Sequence, residues 1–279
     1  IKNNDCKISL KERKKFASNA FKISSNYDYH ISNYFLEVKE SSLRYGENPH
    51  QNGTFTGNLS DVFTKIHGKE LSYNNLLDID AALDLMKEFK NEKYTFAILK
   101  HNNACGISTR ESLKKSYQCA LEADPISAFG GILICNSKMD IETAQIINTL
   151  FCEVVISPDF DEDSLTILKS KKNRIILKLN NYPTKKYISR TCLNGSLYQS
   201  ADNITDSAEI LSYPTKIQPN KNQIDDLLFA SKISKNTKSN TIVLVKNKQL
   251  LASGTGQTSR IDALNPVSYT HLTLPTSTH

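Results

Sequence analysis

The feature that most constrains the fold is an alternation of short apolar runs with amphipathic helical patterns between residues 78 and 179. Apolar residues recur on one helical face from Asp78 onward, and the run Phe96-Ala97-Ile98-Leu99 then has the length and composition of a buried strand. The same alternation predicts further strands at residues 131–135, 154–157 and 174–179, and further helices at residues 109–122, 141–151 and 161–169. Strands separated by amphipathic helices indicate a layered α/β domain with a largely parallel sheet.

The segments that flank this region are patterned differently. Residues 10–35 carry apolar side chains at helical spacing, which predicts one or two helices. Residues 180–220 are polar and weakly patterned, so we expect a junction between subdomains there. A helix over residues 224–233, a strand over residues 242–246 and a hairpin turn at Asn247-Lys248 predict that a second α/β unit follows.

The last fourteen residues, 266–279, change abruptly to Thr, Leu, Ser and Pro. They lack Asp, Glu, Lys and Arg and a helical period, so we expect them not to continue the preceding pattern. The hypothesis is that they form a non-native tail.

Charge and cysteine usage exclude several functions. The net charge of +6 is spread in short clusters, with neither a basic stripe carrying interleaved aromatics nor a zinc-finger spacing, so no nucleic-acid partner is predicted. Six cysteines are irregularly spaced without a Cys-x-x-Cys pair, which favours free thiols in a reducing compartment. The sequence has no run of 18 or more apolar residues, so a cytoplasmic protein without a membrane partner is expected.

The most informative polar segment is Lys100-His101-Asn102-Asn103, which follows a predicted strand. Ligands of open α/β sheets sit beyond the carboxyl ends of strands. A lysine beside a histidine offers a fixed cation and a group that titrates near neutrality, which suits proton transfer to or from an amine. From these residues alone, the favoured interpretation is a surface lysine beside a histidine that merely caps backbone groups.

Three further segments are candidates for binding. The loop over residues 44–51 is rich in side chains that form hydrogen bonds, residues 124–131 end in paired glycines, and residues 254–260 form a glycine-rich turn that suits an anion. A structural turn would explain residues 124–131 equally well. None matches a Walker or dinucleotide motif. Cys105 is a poor candidate nucleophile, because nothing in the sequence stabilises its thiolate.

Taken together, six stretches resemble one family, the bifunctional enzymes that join AICAR transformylase to IMP cyclohydrolase. They are residues 43–51, 71–78, 99–106, 124–131, 239–241 and 254–262. Their order and spacing also resemble that family from about residue 10 to Ala263. The resemblance implies a cytidine-deaminase-like α/β fold that is repeated twice, with the second repeat truncated here, and an intertwined homodimer with sites at its interface. Without a Cys-x-x-Cys signature, the likeness to deaminases concerns the fold and not the reaction.

The resemblance also implies an activity and the residues that perform it. The family transfers a formyl group from the co-substrate 10-formyltetrahydrofolate to the 5-amino group of the ribonucleotide AICAR, without a metal, and closes the ring to IMP in a separate domain. By carry-over, Lys100 and His101 are the catalytic pair, with His101 removing the amine proton, and Asn240 holds the reacting groups. The residues expected to contact the nucleotide are Arg44, Tyr45, His50, Asn75, Phe129, Gly130 and Glu153. Arg260 lies in a stretch near the family's site.

The domain assignment follows from the same resemblance. Residues 1–36 correspond to the last helices of the cyclohydrolase domain, residues 37–200 to the first transformylase subdomain and residues 201–265 to the start of the second. We expect the cyclohydrolase catalytic residues and part of the folate side of the transformylase site to lie outside this sequence. Two other classes stay open: a catalytically incomplete nucleotide-binding module, and a basic RNA-binding protein, for which no motif is found and whose affinity would fall steeply with salt.

Overall fold

A computed structural model describes residues 8–36 and 38–271 of the chain. The helices are α1 (Leu10–Phe35), α2 (Tyr73–Lys87), α3 (Leu113–Ala123), α4 (Ile141–Ile147), α5 (Glu162–Lys169), α6 (Lys221–Lys235) and α7 (Arg260–His271). The strands are β1 (Glu40–Ser42), β2 (Thr54–Thr56), β3 (Phe63–His67), β4 (Thr95–Lys100), β5 (Asn103–Thr109), β6 (Ile132–Cys135), β7 (Val154–Ser157), β8 (Ile175–Leu179), β9 (Tyr187–Cys192), β10 (Gly195–Ser200), β11 (Ile242–Val245) and β12 (Leu250–Gly254).

The main sheet has six strands in the order β3-β8-β7-β6-β4-β5. Only the neighbours β6, β7 and β8 are parallel, whereas β3, β4 and β5 join their neighbours antiparallel. The layered α/β class is therefore confirmed, but the prediction of a largely parallel sheet is wrong. The reason is local, because β4 and β5 form a hairpin, which places consecutive strands antiparallel.

That hairpin also includes a strand, β5, that the sequence did not predict. Residues 103–109 form strand β5, and the connection from β4 consists of His101 and Asn102, both with positive φ (51° and 65°). Helix α3 consequently starts later than expected, at Leu113, and its N-cap is Ser112, whose side chain accepts a hydrogen bond from the backbone N–H of Lys115. The predicted helix start at Thr109 is wrong, because Thr109 is the last residue of β5.

Helices cover both faces of the sheet. On one face, α2 and α6 pack on side chains such as Ala97, Leu99 and Ile134. On the other face, α3, α4 and α5 pack on the alternate side chains of the same strands, including Phe96 and Ile98. Side chains of a strand point alternately to opposite faces, so this two-sided burial explains the continuous apolar runs of β4 and β6.

The segment that follows residue 200 packs on this sheet. Phe229 and Ile233 of α6 are buried in the main core, and the hairpin of β11 and β12 lies beside β5, where Ser108 pairs with Gln249. The turn predicted at Asn247-Lys248 is confirmed, with φ 53° at both residues. Within the stretch expected to be weakly patterned, the structure instead has a fully exposed hairpin of β9 and β10.

The two terminal helices differ in burial. None of the residues of α1 is buried. Helix α7 continues to His271, so the expectation that residues from 266 onward do not extend the helical pattern is wrong for residues 266–271. Ala263 and Val267, four residues apart on this helix, are both fully buried, which gives the segment a packed face. Residues 272–279 of the hypothesised tail lie outside the described residues. Among the described helices, none has the length and apolarity needed to cross a bilayer.

Candidate functional site

A cavity of about 570 Å³ opens at one end of the main sheet, where β4 ends and β6 and β7 begin. This size falls within the range of small-molecule sites, roughly 300–1,000 Å³. Its walls include Lys100 and His101 after β4, Gly130 before β6, and Glu153 immediately before β7. The cavity thus lies beyond the carboxyl end of β4, as predicted, but at the amino ends of the parallel strands, because β4 runs antiparallel to β6.

Lys100 and His101 are presented by the tight turn between β4 and β5. The Lys100 ammonium donates a hydrogen bond to the backbone carbonyl of Phe129 at 2.7 Å, which holds it across the mouth of the cavity. His101 is exposed and has a left-handed backbone. The following amide, the N–H of Asn102, donates to Oδ1 of Asp78 on α2 at 2.7 Å. The Lys100 ammonium and the backbone of the turn that carries His101 are therefore each held by a hydrogen bond.

The opposite wall is organised around the carboxylate of Glu153. Its Oε2 accepts a hydrogen bond from Nδ2 of Asn75 at 3.2 Å and lies 3.1 Å from the Lys69 ammonium. Asn75 is itself fixed, because it forms a capping box with Ser72 at the start of α2. The carboxylate keeps accepting capacity for a ligand, since the second oxygen, Oε1, has no hydrogen bond to any described residue.

Arg44 brings a positive charge to the cavity. Its guanidinium carbon lies 5.4 Å from the ring centroid of Tyr45, a cation–π contact. Within the described parts of the chain, no carboxylate lies at ion-pair distance from it. An exposed guanidinium without a carboxylate partner suits bidentate binding of a phosphate.

Phe129 and Gly130 supply an apolar surface beside the lysine. The Phe129 ring is 58% exposed and rests at 5.1 Å on the ring of Phe151. Gly130 has φ +72°, and its N–H donates to the carbonyl of Phe151 at 2.8 Å. The Phe129 ring thus contacts Phe151 and is largely exposed, which suits stacking on a heterocycle.

Burial changes the acid–base behaviour of two groups near the turn. Partial burial raises the pKa of Asp78 above its usual value, although the Asn102 N–H and the nearby His101 oppose that rise. Burial and the nearby Asp124 raise the pKa of the Cys105 thiol to about 12, so it is almost entirely protonated at neutral pH. Cys105 is therefore no activated nucleophile, in agreement with the sequence analysis.

The structure brings together most of the residues predicted for the site. Those that line the cavity are Arg44, Tyr45, Asn75, Lys100, His101, Phe129, Gly130 and Glu153. His50 is exposed and does not line it, nor does Asn240, whose backbone and side chain bond to Gln257 and Thr258. Arg260 begins α7 and is also outside the lining. The roles of these three residues stay predictions.

Several residues of the cavity were not predicted from the sequence, among them Lys69 and Asp78. Lys69 and Glu153 are in contact although they are 84 residues apart in the sequence, so no local sequence pattern predicts the contact. Asp78 was interpreted as the first residue of an amphipathic helix, and that pattern gives no sign of its contact with the hairpin. The structure shows that helix α2 begins earlier, at Tyr73, which puts Asp78 inside it.

Residues 1–268 match the family model described as AICARFT/IMPCHase bienzyme. The chain belongs to this family. The bienzyme membership confirms the resemblance found in the six sequence stretches, and the mixed α/β sheet flanked by helices agrees with it.

Curated relatives lead to the same family. The chain is 52% identical over 266 residues to the bifunctional purine biosynthesis protein PurH of Bacteroides thetaiotaomicron, an alignment that covers 92% of this chain and 52% of that protein. It is 40% identical over 283 residues to the protein of the same name from Caldicellulosiruptor bescii, covering 92% of this chain and 54% of the relative. The PurH protein of Aquifex aeolicus is 41% identical over 277 residues, with 92% and 54% coverage. The chain spans about half the length of the curated relatives it matches.

Proposed function

We propose that the cavity binds the ribonucleotide AICAR and presents its 5-amino group for formylation by 10-formyltetrahydrofolate, a step of purine biosynthesis. The observation that carries this proposal is that eight of the predicted residues, from different parts of the chain, line one cavity. The lining contains a guanidinium that suits a phosphate, an aromatic ring that suits a heterocycle, and a lysine beside a histidine that suit an amine. Complementary groups at separate walls of one cavity are what an oriented nucleotide requires.

The walls suggest how the nucleotide lies. Arg44 would take the phosphate through its planar pair of N–H donors, and the Phe129 ring would stack on the imidazole. Glu153, held by Asn75 and Lys69, would accept hydrogen bonds from polar hydrogens of the nucleotide. The 5-amino group would then lie toward Lys100 and His101 at the remaining wall.

The proposed reaction moves a formyl group between two nitrogens. The amine nitrogen of AICAR forms a bond to the formyl carbon, and the bond from that carbon to N10 of the folate breaks. The amine loses a proton, for which His101 is placed as a general base, and N10 gains one as tetrahydrofolate leaves. The Lys100 ammonium would stabilise the negative charge that develops on the formyl oxygen, and we expect no metal ion to be needed.

The assembly and location follow from the same resemblance and stay proposals. A homodimer with sites at its interface would allow Asn240 of a second copy to reach a cavity that the Asn240 of the same chain does not line. The complete protein would also carry IMP cyclohydrolase activity. The five cysteines that the structure describes are all free thiols, which supports a reducing, cytoplasmic setting.

A second possibility is a nucleotide-binding module without formyl transfer. It is favoured by the position of Asn240 outside the cavity, because the residue expected to hold the reacting groups is not assembled with Lys100 and His101 in one chain. Both possibilities predict AICAR binding, and only the first predicts turnover.

Calorimetric titration with AICAR tests the nucleotide site. Saturable binding is expected for the wild-type chain, with a loss of at least about tenfold in Arg44→Ala, since a charge-assisted phosphate contact contributes on the order of 1.5–3 kcal/mol. Arg190→Ala is the matched control, because Arg190 is exposed on β9, away from the cavity. A folded chain that binds no AICAR, or equal affinities in both variants, would contradict the proposal.

A further inference from the structure

We propose that Asp78 is a positioning residue that holds the turn carrying Lys100 and His101 in its working conformation. The part of this inference that concerns nucleotide binding rests on the function proposed above. Asp78 lies on helix α2 and acts through the backbone of the turn, so it needs no contact with the substrate. Nothing in the sequence pattern assigns it such a role.

The turn has a conformation that requires support. His101 and Asn102 are consecutive residues with φ 51° and 65°, in the left-handed region that side chains other than glycine enter at a cost. Two-residue hairpins of this kind usually use asparagine and glycine. Histidine lacks the conformational freedom of glycine at the first of these positions, so contacts with neighbouring residues add to the stability of the turn.

Asp78 supplies one of those contacts from outside the hairpin. Its Oδ1 accepts a hydrogen bond from the backbone N–H of Asn102 at 2.7 Å. The short distance and the carboxylate acceptor are features of a strong, charge-assisted bond. The next residue of α2, Ile79, is 2% exposed in the core, so the carboxylate projects from an anchored helix.

The other contacts tie the turn from different directions. The side chain of Asn103 donates to the carbonyl of His101 at 2.8 Å, within the hairpin. The Lys100 ammonium donates to the carbonyl of Phe129 at 2.7 Å. Of these three contacts, the bond to Asp78 alone connects the turn to α2.

Helix α2 also positions the wall of the cavity that lies opposite the turn. Asn75 lies three positions before Asp78 and therefore on the same helical face, and it holds the Glu153 carboxylate at 3.2 Å. One ridge of α2 thus fixes both the turn with Lys100 and His101 and the carboxylate opposite to it. A shift of the turn against this ridge would change the separation of the groups that orient the nucleotide.

Hydrogen exchange of the Asn102 amide, followed by nuclear magnetic resonance, tests the contact. In the wild type this amide should be protected like its neighbours in β5. In Asp78→Ala it should exchange at least about tenfold faster, whereas Asp78→Asn keeps an acceptor oxygen and should preserve most of the protection. Asp80→Ala is the control, because Asp80 lies on the same helix but pairs with Lys185, away from the cavity.

AICAR affinity, measured by calorimetry on the same four proteins, tests the consequence. We expect Asp78→Ala to weaken binding at least about fivefold, Asp78→Asn to stay within about threefold of the wild type, and Asp80→Ala to be unchanged, all with similar thermal midpoints. If the wild type itself binds no AICAR, the proposed function fails, and amide exchange still decides whether Asp78 holds the turn. A wild-type Asn102 amide that exchanges as fast as an exposed one would overturn the inference, even if Asp78→Ala does not fold.

Discussion

At the scale of single residues, the proposed chemistry depends on a few polar side chains. Lys100 and His101 lie at a turn on the rim of the cavity, and His101 is exposed. Neither is in the apolar core, so replacing them should cost little stability. Their loss should instead appear in the reaction, where an aromatic amine needs both proton removal and charge stabilisation.

In a full-length protein of this family that contains this chain, the proposed function predicts that Lys100→Ala and His101→Ala each reduce formyl transfer by about two orders of magnitude or more, the scale of a lost acid–base or charge-stabilising group. Steady-state assays with AICAR and 10-formyltetrahydrofolate measure the loss, and circular dichroism checks that the fold persists. Near-normal turnover in both variants would remove the pair from the mechanism.

Thiol reactivity provides a second test at this scale. The pKa of about 12 leaves roughly one Cys105 thiol in ten thousand ionised at pH 8, whereas Cys192 is exposed on β9. In a Cys6→Ser background, a disulfide reagent at pH 8 should modify one thiol rapidly, and Cys192→Ser should abolish that fast phase. A fast phase that instead disappears in Cys105→Ser would show an activated thiol in the site.

At the scale of elements, close packing of β5 on α3 fixes the strand that follows the functional turn. A side-chain carbon at Gly106 would lie 1.9 Å from the carbonyl oxygen of Ala120, so the strand and helix cannot both keep their places around a larger residue. Gly106→Ala should therefore lower the free energy of unfolding in urea by about 1–3 kcal/mol. Gly195→Ala is the control, because its added carbon meets nothing within 4 Å, and it should change stability by less than about 0.5 kcal/mol. Equal effects would contradict this packing.

The elements also show what the sequence could predict. The runs over residues 96–99 and 131–135 predicted buried strands, and the six motif stretches predicted the family. Strand β5 was missed because its beginning, Asn103, has the polar character of a loop, and its pairing depends on the turn before it. Lys69 and Asp78 were missed because their partners, Glu153 and Asn102, are distant in sequence, and only the folded chain brings them together.

At the scale of the whole molecule, the segment beyond residue 200 shares the core of the main sheet. Phe229 of α6 is 3% exposed, and its ring centroid lies 4.9 Å from that of Phe89. The Arg110 side chain after β5 also donates to Gln249 Oε1 at 2.6 Å, across the junction with β12. Because this burial is shared, α6 and the sheet should unfold together.

Native-state hydrogen exchange measures this coupling. Amides of α6 and of β4 and β6 should open with the same free energy, and Phe229→Ala should lower it in all of them by about 3–5 kcal/mol. Leu227→Ala is the control on the same helix, because Leu227 is 50% exposed. Opening of α6 at a much lower free energy than the sheet would show two independent units.

The most direct measurement is a crystal structure of this chain with AICAR bound. The predicted complex has the phosphate on Arg44, the imidazole ring on Phe129 and the 5-amino group within hydrogen-bond reach of His101, with the Lys100 ammonium beside it. AICAR bound away from the cavity, or bound there with its amine turned from Lys100 and His101, would contradict the assignment of this cavity as the nucleotide half of a formyltransferase site.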